Sequence, residues 1–104
     1  MSKGYNGWTN YETWLVNLWI DNSEGDQEYW HDRASWCLKH QAEEGDAVHE
    51  LRDTLRDEFD EKYDEQKPDS GLLADLLRAA LSEVNWDEIA RHYIDSIVEE
   101  ESNA

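Results

Sequence analysis

The stretch from Trp8 to Asn22 constrains the fold most. It is the least polar run near the N-terminus and holds three of the six tryptophans. Thr9 followed by Glu12 predicts a capping box, the hydroxyl on a first-turn amide and the carboxylate reaching back. Tyr11, Trp14, Leu15, Leu18 and Trp19 then recur at i, i+3, i+4, i+7 and i+8, one apolar face of a helix. Val16 and Ile20 widen that face. The spacing predicts a helix over about 10–22 at the middle of the domain, with later helices packed on it.

The remaining segments keep the same period. Asn22–Gly25 reads as a turn, with Gly25 suited to a left-handed position and Asp26 capping a second helix over 27–43. Trp30, Ala34, Cys37 and Leu38 form its inner face. Gly45 ends it, and Asp46 caps a third helix over 47–65 whose seam is Val48, Leu51, Leu55, Phe59 and Tyr63. Pro68 cannot continue a helix, so 67–71 is a loop. A fourth helix over 70–83 presents Leu73, Leu76, Leu77, Ala80, Leu81 and Val84 as a wide apolar face. Asn85 with Glu88 predicts a second capping box and a fifth helix over 86–99, faced by Trp86, Ile89, Ala90, Tyr93, Ile94, Ile97 and Val98. Glu99–Glu101 oppose the macrodipole, so this end is expected to fray. No period-two β-rich run competes. The expectation is all-α: a single compact domain of about five helices over 1–104, with 1–7 and 100–104 mobile.

The core must come from few, large side chains, because 38% of residues are hydrophobic while six are Trp and five Tyr. Twenty-six acids against nine bases give a formal charge of -17. Self-repulsion of that size costs stability and calls for a reason. It argues against nucleic acid or an anionic membrane as a direct partner and favours a basic protein surface. Solubility at high salt is the alternative reason. A lone cysteine, Cys37, leaves no internal disulfide and no multi-Cys zinc site. A polar N-terminus and the lack of a long apolar run predict a cytoplasmic protein without a membrane span.

Trp8-Thr-Asn-Tyr-Glu-Thr-Trp14, running on to Leu18-Trp19-Ile-Asp-Asn22, resembles the N-terminal signature of small, mostly uncharacterised proteins carried by phages, plasmids and archaeal mobile elements. Asn85-Trp-Asp-Glu-Ile-Ala90 is a weaker echo. The resemblance implies a mobile-element origin and brings no catalytic residues with it.

Two acidic constellations could carry recognition. On the third helix Asp46, Glu50, Asp53, Asp57, Asp60 or Glu61, and Asp64 return every third or fourth position, opposite the apolar seam. At 1.5 Å rise this sets a carboxylate about every 5 Å along one side. DNA phosphates rise about 3.4 Å per strand, so such a row can act as a decoy for a DNA-binding protein. A solvated helix face is the plainer reading. The second cluster is Asp21, Glu24 and Asp26, with Glu28 and Asp32, around the first turn. Its calcium-loop look fails where Asp26 replaces the required glycine and Asp32 the bidentate Glu. Histidines 31, 40, 49 and 92 are too scattered for zinc, and Cys37 reads as a small core hydrophobe. Four tryptophans are expected in the core, while Trp8 and Trp36 sit at edges as possible interface anchors, with homodimerisation one way to bury such residues. No catalytic or cofactor motif appears. The chain therefore reads as a non-enzymatic protein that inhibits or modulates a basic DNA- or RNA-binding host protein, such as a restriction or CRISPR-type defence component, by DNA-like charge mimicry. The rival is an accessory or structural protein whose acidity serves solubility.

Overall fold

A computed structural model describes residues 6–66 and 71–102. Five helices follow one another: α1 (Tyr11–Asp21), α2 (Glu24–His40), α3 (Glu44–Gln66), α4 (Leu72–Ser82) and α5 (Trp86–Ser102). There is no β-strand among the described residues. The all-α expectation holds. The expected mobility of residues 1–5 and 103–104, and the loop at 67–70, lie outside the described residues.

The core is built by α2, α3 and α5. Ala47, Val48, Leu51 and Leu55 of α3 meet Ile89, Ala90, Tyr93, Ile94 and Ile97 of α5, and Trp30, Ala34 and Cys37 of α2 close the third side. Ala34, Ala47 and Ala90 are fully buried; their small side chains let the helices approach closely where they cross. Phe59 lies between Trp30 and Trp86 with ring centroids 6.4 and 5.2 Å away, so a short aromatic stack ties the three helices together.

The first helix is not the centre of the domain. The buried positions of α1 are Thr13, Asn17 and Ile20, nearly opposite the face that hydrophobic spacing selects. Trp19 is 71% exposed and Tyr11 is exposed too, while Trp14, Leu15 and Leu18 are half-buried. The reason is polar. The Thr13 hydroxyl bonds across to the Asn85 backbone and so orients α1, while Asn17 Nδ2 donates to Asp21 within the helix.

Helix starts also shift. Asn10, not Thr9, caps α1: its Oδ1 accepts the Thr13 N–H at 2.9 Å and the Thr13 hydroxyl at 2.6 Å. Ser23, not Asp26, caps α2, accepting the Asp26 N–H at 3.4 Å, and Gly25 lies within the first turn. Gly45 and Asp46 likewise lie inside α3, which begins at Glu44. At the C-terminus α5 runs through Glu99–Glu101 to Ser102.

Two helix starts distant in sequence are clasped together. The Thr13 hydroxyl oxygen accepts the Asn85 N–H at 2.8 Å. Asn10 Nδ2 donates to the Glu83 carbonyl at 2.7 Å, and the Thr9 N–H donates to Glu88 Oε1 at 3.0 Å. Asn85 in turn caps α5, its Oδ1 accepting the Glu88 N–H at 3.1 Å. Glu88 thus reaches Thr9, and the two expected boxes become one shared cap. Trp8 sits beside it, edge-on to His92 at 5.3 Å. The polar residues of the Trp8–Trp14 stretch and of its echo at Asn85 are the joint between α1 and α5.

The fourth helix is only partly attached. Ala74 is its one buried residue, whereas Leu72, Leu73, Leu76 and Leu77 are 72, 66, 54 and 39% exposed. Of the face expected to join the core, Leu73, Leu76 and Leu77 are open, whereas Leu81 and Val84 pack against it. Arg78 holds α4 to α3, pairing with Asp60 at 3.0 Å and lying over the Tyr63 ring at 5.2 Å. The Tyr63 hydroxyl also donates to the Ala74 carbonyl at 3.3 Å.

Candidate interaction surfaces

The acidic row stands on the solvent side of α3. Burial of Ala47, Val48, Leu51 and Leu55 fixes the helix rotation, and the residues half a turn away point outward. Asp46, Asp57, Glu61 and Asp64 are exposed; Glu50, Asp53 and Asp60 are half-buried. From Asp46 to Asp64 the row is about 27 Å long.

Arginines neutralise its middle. Arg52 pairs with Asp53 at 3.0 Å, and Arg56 reaches Asp53 at 3.3 Å and Asp57 at 3.8 Å. Asp60 is taken by Arg78. Glu50 accepts a hydrogen bond from Gln41 Nε2 at 3.1 Å. These ion pairs are exposed, so each contributes little and can be exchanged for another cation.

The second cluster does not join that row. Asp21 ends α1, accepting from Asn17 Nδ2 at 3.0 Å and lying 3.5 Å from the Tyr93 hydroxyl. Glu24 and Asp26 are exposed in the first turn of α2, where carboxylates suit the helix dipole. Trp8 is half-buried in the clasp. Trp36 is exposed on α2, stacked on His40 at 4.2 Å with the Arg33 guanidinium 5.6 Å from its ring.

Reactive groups are held quiet. Cys37 is fully buried, and burial with the nearby Glu50 carboxylate pushes its thiol up to about 11. Burial beside Asp21 raises the Tyr93 phenol far above its ordinary value. A cleft of about 390 Å³ holds His31, His92, Asp21, Glu28 and Glu100 on its walls. No group of three side chains that could hold a metal occurs among the described residues. No helix there is long and apolar enough to cross a membrane.

One surface is built from periodic apolar residues that the sequence assigns to the core. A groove of about 540 Å³ opens between α1 and α4 with α2 and α3 beneath it, lined by Leu15, Trp19, Ile20, Trp30, Phe59 and Leu81 among others. Leu81 and Phe59 also line an adjoining cleft with Leu77, which carries the apolar surface onto α4. Asp26 and Lys62 stand at the groove. Its floor on α3 lies away from the acidic row. The signal that could have revealed it is the excess of apolar faces on α1 and α4 over what a three-helix core can bury.

Fold and surface together define a strongly acidic five-helix protein with one charged face and one apolar groove. The chain belongs to a family of unknown function (DUF7249), whose family model matches residues 1–103. No curated protein and no solved structure matches it.

Proposed function

We propose that this protein is a non-catalytic binding protein whose α3 row docks in the nucleic-acid groove of a basic partner. The observation that carries the reading is the row itself: seven carboxylates, Asp46 to Asp64, on the outward side of one helix, in a chain of charge -17. A carboxylate about every 5 Å over about 27 Å offers the groove a run of negative charge like a phosphate strand. Summed charge of this size also steers a basic partner onto the face. A host restriction or CRISPR-type component is the target that the mobile-element resemblance implies. The test is capture on the immobilised full chain at low salt, followed by elution with duplex DNA. A nucleic-acid-binding protein retained and then displaced by the duplex supports the reading; retention of none, or no displacement, overturns it.

The arginine pairing of Asp53, Asp57 and Asp60 favours a second reading, in which α3 is a solvated face and acidity serves solubility. It forecasts no such partner and a melting temperature that climbs steeply in molar salt.

A further inference from the structure

We propose that the apolar face of α4 and the groove beside it form a homodimer interface. Leu72, Leu73, Leu76 and Leu77 make a ridge over successive turns, and Trp19 stands exposed on the groove wall. At these exposures they present on the order of 500–600 Å² of apolar surface, at the top of what monomers carry. That is most of the ~800 Å² per partner in a standard interface.

Charge selects the occupant. A chain of charge -17 repels its own copy everywhere except where charge is sparse. On α3 ten acids face three bases, whereas α4 carries one of each, Asp75 and Arg78. The groove likewise has one lysine and one aspartate at its margin. This face offers a basic partner only two carboxylates, Asp75 and Asp26, against the ten acids of α3, and a second copy brings the same near-neutral, leucine-rich surface. One protomer supplies both ridge and groove, so a two-fold contact seats each ridge against the other's groove and buries both twice. Two acidic rows then remain outside, on the far side of each α3.

Sedimentation velocity of the full chain over a wide concentration range, at low and high salt, tests this. The expected result is a monomer–dimer equilibrium that tightens as salt rises, because screening removes repulsion while apolar contact persists. The Leu73→Glu/Leu76→Glu variant should weaken the dimer by at least about 100-fold with an unchanged helical circular dichroism spectrum. Leu76→Asn, a milder change at an exposed site, should weaken it by about 10-fold and guards against a misfolded double variant. A wild-type chain that stays monomeric overturns the proposal, whether or not this face takes up an added amphipathic helical peptide. So does a dimer that loosens with salt, or one that Leu76→Asn leaves intact in a folded chain.

Discussion

Replacing Thr13 with valine removes one hydroxyl at the joint between α1 and α5 and preserves shape. The hydroxyl donates to Asn10 Oδ1 at 2.6 Å and accepts the Asn85 N–H at 2.8 Å, in a side chain with no exposure to solvent. The Thr13 N–H keeps its own bond to Asn10 Oδ1, so the α1 cap survives. What is lost is the partner of the Asn85 N–H, at about 1–3 kcal/mol, and one neutral hydrogen bond of about 1 kcal/mol. The extra buried methyl offsets up to about 1 kcal/mol. The net cost is about 2 kcal/mol, or about 10 °C in melting temperature for a domain of this size. Thr13→Ser keeps both bonds and loses a methyl, at about 1 kcal/mol. Urea unfolding followed by circular dichroism is the assay, since guanidinium would also screen the charge. Wild type should exceed serine and serine should exceed valine, with a constant denaturant slope. A valine variant as stable as wild type would falsify the clasp.

Other outcomes follow from burial. Ile20→Ala should cost about 2–4 kcal/mol, while Trp19→Ala should stay within about 0.5 kcal/mol in the monomer, despite the larger side chain; comparable losses would restore the face that the periodicity of α1 suggests. Cys37 should resist a disulfide reagent in the folded protein near neutral pH and react on unfolding, and fast labelling of the native chain would contradict its burial. Its thiol is raised from the ordinary 9.0 to about 11, and the Tyr93 phenol is raised from 10.0. Both groups bind their protons more tightly when folded, so their contribution is complete below pH 9 and is lost as pH climbs through 9 to 11 and beyond. Urea midpoints should fall across that window and fall less in Tyr93→Phe; a flat profile would contradict the assignment.

The parts of the fold legible in the sequence are those where apolar residues at 3.6 spacing outnumber polar ones. The faces of α5, of α3 from Val48 to Leu55, and of α2 at Trp30, Ala34 and Cys37 are of this kind. On α1 the buried residues include the polar Thr13 and Asn17, and the partner that holds Thr13 in place is the distant Asn85, which no local pattern contains. Asn10 and Thr9 are both good caps, and the partners that distinguish them are distant: Asn10 Nδ2 bonds the Glu83 carbonyl, and Glu88 takes the Thr9 amide. The amphipathic character of α4 was plain, but periodicity does not say whether the covering surface belongs to the same chain. The acidic row needed only the helical period and the position of the apolar seam. The groove depends on how α1 and α4 sit across α3, a tertiary fact.

The most direct measurement compares two variants of equal charge against the captured partner. Asp46→Asn/Asp57→Asn/Glu61→Gln neutralises three exposed carboxylates of the α3 row, and Glu99→Gln/Glu100→Gln/Glu101→Gln neutralises three at the end of α5. Each adds the same amount to a net charge of -17. Equilibrium titration at two salt concentrations, with thermal melts alongside, should show the α3 variant weakened by at least about 10-fold, with a shallower salt dependence and an unchanged or higher melting temperature. The α5 variant should lose affinity only slightly. Equal losses for both would mean that bulk charge alone attracts the partner, and no loss from the α3 variant would remove its row from the interface.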